Sequence, residues 1–294
     1  MKCALFLGCT IPARLTQYES SSRAVLANLG VELIDIKEFA CCGYPLRNID
    51  FKASMLAAAR NIALAEKENL PLLILCKCGF GMLKHAAHIL KEDPSLLNEI
   101  NTTLKKEGLA YTNGVEIKHL LSVLYHDIGT DALKKKITRP FTGLKIATHY
   151  GCHALRPSEI THFDDPVNPT LFDNLVALTG AESIYWEKRL DCCGAPLTGV
   201  NDDLSMDLTE KKLANAQQAG ADFLCDACSY CHIQFDTVQG MIPHTKGNNN
   251  LLPPILYPQL LGLSLGIDGK TLGLGMNTID ITSIEGYLLE WEEP

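Results

Sequence analysis

Two stretches of this sequence carry adjacent cysteines in the same setting: Cys41-Cys42-Gly43-Tyr44-Pro45-Leu46 and Cys192-Cys193-Gly194-Ala195-Pro196-Leu197. Each is preceded by a Gly-Cys pair, Gly8-Cys9 and Gly151-Cys152. Each is followed by further thiols, Cys76-Lys77-Cys78 in the first copy and Cys225, Cys228 and Cys231 in the second. Neighbouring side chains on a strand point to opposite faces, so paired cysteines on a strand cannot both serve one core. On an irregular turn both can face one soft cation, and the glycine after them permits such a turn. The chemistry this spacing suggests is thiolate ligation of metal, twice. A tetrahedral zinc site usually draws on two short cysteine knuckles. Here each copy offers single, double and paired cysteines from three separate loops, which suits a cluster of several irons better. Cys3 stands alone in an apolar run and reads as a small core hydrophobe. Cys225 reads as an extra thiol packed beside the second pair.

The 294 residues are 47% apolar and carry a net charge of -8. That length allows a sizeable core and two domains of ordinary size. The acidic balance argues against nucleic acid as a partner. There is no Gly-x-Gly-x-x-Gly or Walker-type loop, so no nucleotide cofactor is expected. Twelve cysteines in a chain this long do not make a small secreted scaffold, and reduced thiols in a cytoplasmic protein are expected. The apolar run at the N-terminus is too short for a signal peptide. No stretch approaches the roughly 18 to 20 apolar residues of a transmembrane segment.

The elements that must position these thiols follow a repeated order. Lys2 to Leu7 predicts a buried strand, Tyr18 to Leu29 a helix stopped by Gly30, and Val31 to Ile36 a second strand. Met55 to Lys67 predicts an Ala-rich helix, and Leu70 to Leu75 a third strand running into Cys76. Leu83 to Leu124 reads as largely helical, with room for a strand within Val115 to Leu124. Lys134 to Thr142 is polar and charged and reads as a linker. The order then recurs: Leu144 to Cys152 matches the first strand and its cysteine, Leu171 to Thr179 the first helix, Glu182 to Trp186 leads to the paired cysteines, and a helix over Leu208 to Ala219 precedes a strand over Ala221 to Leu224. The fold class expected is α/β, two pseudo-symmetric halves at 1–140 and 141–294, each a small, mostly parallel sheet with flanking helices. Ligands of such sheets sit beyond the carboxyl ends of the strands, which is where the paired cysteines fall. The tail beyond Pro253 gives no clear element. Asp164-Asp165-Pro166 and Glu292-Glu293-Pro294 read as surface.

The repeated Cys…CysCysGly…Cys pattern resembles the cysteine-rich CCG domain of the heterodisulfide reductase B-subunit family. The likeness covers nearly the whole chain, including the segment Pro254 to Gly262. It implies Rossmann-like halves, each holding a non-cubane 4Fe–4S cluster, the two facing a shared cavity where a disulfide is reduced. It implies Cys152, Cys192, Cys193, Cys228 and Cys231 as ligands of the second cluster, and Cys9, Cys41, Cys42, Cys76 and Cys78 as ligands of the first. The first copy departs from the family pattern, because Cys76-Lys77-Cys78 is Cys-x-Cys and Gly81 stands where a pair starting at Cys78 would end. Two alignments stay open. The interval from the paired cysteines equates Cys76 with Cys228; alternatively Cys78 matches Cys228 and one ligand is missing. The first cluster is therefore expected to be intact or altered according to which holds.

The chain has no Cys-x2-Cys-x2-Cys-x3-Cys-Pro relay run, so its electrons must come from elsewhere. The resemblance implies two partners: a ferredoxin-like iron–sulfur subunit, the C component of the family's complexes, and a flavin-containing subunit, their A component. Breaking a disulfide takes two electrons, and two centres each taking one sulfur avoid releasing a thiyl radical. Related subunits serve sulfur oxidation or quinone-linked complexes, and a purely electron-transferring role is the alternative outside catalysis. His149 and His153 flank Cys152. His153 is the candidate proton donor to a leaving thiolate, against a loop-orienting role. Arg156 and Lys77 would bind anionic substrate groups or offset cluster charge, against an ordinary solvated position.

Overall fold

The computed structural model describes residues 1–242 and 251–289. In the first half β1 (Lys2–Phe6) leads through α1 (Thr10–Arg14) and α2 (Thr16–Asn28) to β2 (Glu32–Ile34), α3 (Phe51–Lys67) and β3 (Leu72–Ile74). Then come α4 (Lys77–Glu92), α5 (Pro94–Leu104), β4 (Ile117–His119), α6 (Leu120–Ser122), a π-helical turn and α7 (Thr130–Lys136). The second half runs β5 (Lys145–Thr148), α8 (Ser158–Thr161), α9 (Leu171–Leu178), β6 (Glu182–Ile184), α10 (Asp202–Gln218) and β7 (Phe223–Asp226). It ends with α11 (Ser229–Ile233), β8 (Pro254–Leu256) and α12 (Tyr257–Ser264).

The strands form two four-stranded sheets, β2-β1-β3-β4 and β6-β5-β7-β8, with every pairing parallel. Helices cover the sheets, so the central strands are buried on both faces and read as continuous apolar runs. In each sheet the chain order reverses between the two central strands, and the crevice beyond their carboxyl ends is the place such folds offer a ligand.

The expected α/β halves are present, with differences that have local causes. The sheets are wholly parallel. β4 lies inside Val115 to Leu124, and its counterpart β8 lies in the tail, where the sequence showed no element. Pro254 opens β8 at the sheet edge, a position that tolerates a residue without an N–H donor. α3 and α10 begin earlier than their apolar periodicity, because Asp50 and Asn201 accept the Ala53 and Leu204 amides as N-caps. Lys134 to Thr142 keeps its lysines exposed but is not a free linker. Its lysines form the last turn of α7, where cations suit the helix dipole. Phe141 is buried, and its amide donates to the Thr179 carbonyl at 2.9 Å. Asp164 and Asp165 are surface residues whose carboxylates accept loop amides. Glu292 to Pro294 lies outside the described residues.

The halves share one apolar core. α12 of the second half packs on α2 of the first, and α6 packs on α9. Ser21 and Ser22 on the buried face of α2 are small enough to let a neighbour come close. Between the halves the thiol-bearing strand ends face each other.

Candidate metal centre at the facing sheet edges

Glycine chemistry shapes both CysCysGly loops. Gly43 has φ +89° and Gly194 φ +94°, the left-handed region that favours glycine. A Cβ on either would stand 2.5 Å from a backbone oxygen of the helix that follows, Ser54 or Ser205. Each loop is therefore clamped to the first turn of α3 or α10. The next step is a short 3-10 turn with Pro45 or Pro196 near its start.

Strand register settles the correspondence left open by sequence. Leu5 pairs with Leu73, and Thr148 with Cys225. Cys76 is the N-cap of α4 and Cys228 the N-cap of α11, so Cys76 matches Cys228. It follows that Gly79 stands where the second half has Cys231, and Cys78 where it has Tyr230. Cys225 takes the place of Leu73 inside a strand and is fully buried there, as a core side chain. Cys3, 1% exposed in β1, is another.

The ten remaining thiols line two neighbouring cavities. Cys9, Cys41, Cys42, Cys76 and Cys78 line the first, together with Ser229 and Tyr230 from the other half. Cys152, Cys192, Cys193, Cys228 and Cys231 line the second, together with Lys77 and Cys78. The sulfurs of Cys76, Cys78 and Cys228 lie within 4.8 Å of one another, as do Cys193 Sγ, Cys231 Sγ and a ring nitrogen of His149. Cys76 and Cys78 are each 3.9 Å from Cys228, and Cys9 is 3.9 Å from Cys41. The two cages thus meet at Cys78, which borders both.

Charge bears on what these cages hold. The hydrogen bond from Cys152 holds the Cys192 thiol down to about 2, the bond from Cys42 holds Cys41 to about 5, and Cys231 holds Cys228 well below the usual thiol value. The donors move up: Cys152 beside Cys192, Cys42 beside Cys41, Cys231 beside Cys193 and Cys228. Cys193 rises beside Cys192, Cys78 rises well above its usual value beside Cys228, and Cys76 is pushed up to about 12 by the same neighbour. Few of these sulfurs can ionise together without a cation among them. Metal ions that replace the protons remove this conflict, and a set of clustered thiolates from several loops is the donor set of an iron–sulfur cluster.

The histidines and cations fall into distinct places. His149 is buried, with Nε2 3.2 Å from Cys231 Sγ. His153 Nδ1 lies 3.0 Å from Cys78 Sγ, and its other nitrogen 3.4 Å from the Tyr44 hydroxyl. Gly81 is needed here, since a Cβ on it would stand 2.5 Å from the His153 carbonyl oxygen. Lys77 is buried, not solvated, and donates to the His149 carbonyl at 3.0 Å. Arg156 is exposed and binds the Pro166 carbonyl at 3.2 Å. With Arg47, His85, His153, Met82 and Tyr44 it lines an open cavity of about 270 Å³ that reaches Cys78.

Sequence reasoning missed Lys212, Arg47 and the crossing of Ser229 and Tyr230 into the first cage. A helical lysine ordinarily reads as solvated, yet Lys212 is 1% exposed and burial lowers its ammonium to about 8. Only its alignment with Asn61 of the other copy would have drawn notice. No helix among the described residues is long and apolar enough to cross a membrane.

The family profile described as "Cysteine-rich domain" matches residues 3–84 and 146–236, one match per repeat. The chain is 37% identical over 284 residues to the B subunit of the "Ferredoxin:CoB-CoM heterodisulfide reductase" of Methanosarcina mazei, covering 95% of this chain and 94% of that one. It is 34% identical over 282 residues to the "8-methylmenaquinol:fumarate reductase membrane anchor subunit" of Wolinella succinogenes, covering 96% and 98%. The fold is similar to the crystal structure of a hypothetical protein from Helicobacter pylori, with TM-score 0.77 and 20% identity. That likeness covers 96% of this chain and 52% of the other, so this chain spans about half of that protein's length. Two matched repeats, the extent of these identities and the paired thiol cages together place the chain in the heterodisulfide reductase B-subunit family of CCG-domain proteins.

Proposed function

We propose that the chain is the iron–sulfur catalytic subunit of a heterodisulfide-reductase-like complex, reducing or in reverse forming a thiol heterodisulfide at two non-cubane 4Fe–4S centres. The observation that carries this reading is the convergence of two five-thiol sets on one interface, with Cys76, Cys78 and Cys228 sulfurs within 4.8 Å of one another. The second centre takes Cys152, Cys192, Cys193, Cys228 and Cys231. The first takes Cys9, Cys41, Cys42, Cys76 and Cys78, its fifth thiol coming from Cys78 because Gly79 offers none. The clusters supply one-electron storage and affinity for sulfur. His153, beside Cys78 at the wall of the open cavity, passes a proton to the departing thiolate. Arg47 and Arg156 offer charge to anionic groups on the substrate.

Electrons come from a ferredoxin-like subunit, with a flavin-containing subunit beyond it, in the cytoplasm where thiols stay reduced. Residues 1–140 and 141–294 are the two domains that supply one centre each. The test is iron, acid-labile sulfide and zinc per chain after anaerobic purification, followed by disulfide reduction with an artificial donor. About eight irons and eight sulfides with turnover are expected. Zinc without sulfide overturns the reading. A second reading, an electron-transferring subunit of a quinone-linked complex, is favoured by the likeness to a subunit of the Wolinella 8-methylmenaquinol:fumarate reductase and by Gly79 at a ligand position. About four irons and no disulfide reduction would support it instead.

A further inference from the structure

The two cages are copies of one design, so residues at matching positions can be compared directly, and three pairs differ in the same electrical sense. Lys77 follows the N-cap Cys76, and its counterpart after Cys228 is Ser229. Lys77 is 1% exposed, crosses to the other half, donates to the His149 carbonyl and lies 4.8 Å from the Phe172 ring centre. It lines the second cage. Ser229 makes the reverse crossing and donates to Cys76 Sγ at 3.1 Å, so the first cage receives a neutral hydroxyl.

Lys212 lies beneath the second CysCysGly loop and donates to the Lys188 and Asp191 carbonyls, the latter at 3.0 Å. The matching residue of α3 is Asn61, neutral, bonded to the Ala40 amide and Cys41 carbonyl. The third pair is His149 against Phe6. His149 Nε2 meets Cys231 Sγ at 3.2 Å while Nδ1 has no partner. A neutral imidazole carries one N–H, and placing it on Nε2 gives the sulfur a donor and leaves no buried donor orphaned.

Neither Lys77 nor Lys212 has a carboxylate partner among the described residues. Asp226, the buried carboxylate at this thiol loop, is held by the Cys228 amide at 3.1 Å and His232 Nδ1 at 3.0 Å. Asp226 acts on Lys77, while the carboxylate nearest in effect to Lys212 is Asp191, which is exposed and paired with Lys188. Burying a cation without a counter-charge is costly, and an anionic centre in the second cage supplies that charge.

We propose that the two centres form a donor–acceptor pair in which the second, flanked by Lys77, Lys212 and His149, has the more positive reduction potential and holds the first electron. This rests on the reading that both cages carry iron–sulfur centres. Burial alone works the other way: Cys193, Cys228 and Cys231 are buried, Cys9 is exposed, and desolvation disfavours the more anionic reduced state. Two cations and a sulfur-directed N–H, close by in an unscreened interior, outweigh it. One electron passes from the reduced first centre to the oxidised second with no bond made or broken. An external one-electron iron–sulfur donor refills the first, and the pair then holds the two electrons that cleavage of an S–S bond consumes.

The test is a potentiometric titration of the full chain, purified anaerobically with its iron and sulfide and followed by EPR. Two steps are expected. Cys193→Ser removes the more positive step and Cys42→Ser the more negative one. Lys77→Gln and Lys212→Gln each lower the more positive step by about 59 mV or more, a tenfold loss in the one-electron equilibrium between the centres. The Lys→Arg variants keep it, and the other step stays in place. The inference is overturned if Cys193→Ser removes the more negative step, or if the glutamine variants keep their iron and leave the more positive step unmoved. A chain without sulfide overturns the underlying reading instead.

Discussion

Gly194→Ala tests the claim that the CysCysGly loop is held by contact with the helix after it. Gly194 sits at φ +94°, where an L side chain adds about 1–2 kcal/mol of backbone strain. The new Cβ would also stand 2.5 Å from the Ser205 carbonyl oxygen and 3.2 Å from Thr209 Oγ1. Ser205 O is backbone within α10 and cannot swing aside as a side chain would. Relieving the overlap means lifting the loop or shifting the helix, about 1–3 kcal/mol for overpacking of this kind. The movement also strains the hydrogen bonds that Thr209 and Ser205 make to the Cys193 and Gly194 carbonyls, both near 3 Å. Together the loss is about 2–5 kcal/mol, or a fall in melting temperature of roughly 3–8 °C for a chain of this size. The assay is thermal unfolding of the anaerobic protein followed by circular dichroism, with iron measured on the same sample. About half the iron should go, since only the second cage is displaced. A variant that melts with the parent and keeps all its iron would refute the clamp.

Four other substitutions probe the site. Cys193→Ser should remove the second centre while the first half stays folded, read as iron per chain and retained helicity; unchanged iron refutes the ligand assignment. His153→Ala should slow disulfide turnover without loss of iron, and a parental rate would remove its proton role. Gly79→Cys should be accepted without loss of stability, because a Cβ there meets only ordinary contacts at 3.6–3.8 Å from Ile74, Cys76 and Phe6. It should change the EPR spectrum of the first centre by restoring the thiol that Cys231 supplies in the second; an unaltered spectrum would count against the repeat alignment. Gly81→Ala should destabilise by about 1–3 kcal/mol, since its Cβ would press on the His153 carbonyl oxygen at 2.5 Å. Urea unfolding reads that loss, and an unchanged midpoint would show that the contact is slack.

The duplicated α/β plan was legible because buried parallel strands write themselves as apolar runs, with β1 and β5 each running into a turn-forming glycine and a cysteine. β8 was not, since Pro254 opens it and the apolar tail continues into α12 without a change of period. The thiols could be grouped by repeat from sequence, but the choice between Cys76 and Cys78 could not be made there. It depends on which residue caps α4, and that is fixed by strand register rather than by spacing. Lys77 and Lys212 show a second limit. A lysine on a helix is ordinarily solvated, and only the approach of the other half or of a neighbouring loop takes these two out of water.

The packing of α12 on α2 has a consequence for how the site is made. The helix that covers part of the first half's α2 is among the last described elements to leave the ribosome, and Ser229 and Tyr230, which complete the first cage, also come from the second half. The first repeat is therefore synthesised with its five thiols in place but one wall of their cavity missing. Until the second repeat is made, Cys9, Cys41, Cys42, Cys76 and Cys78 lack the Ser229 and Tyr230 side chains that border them in the finished fold. The cell must keep Cys9, Cys41 and Cys42 reduced through that interval, so the earliest thiols made are the ones longest at risk.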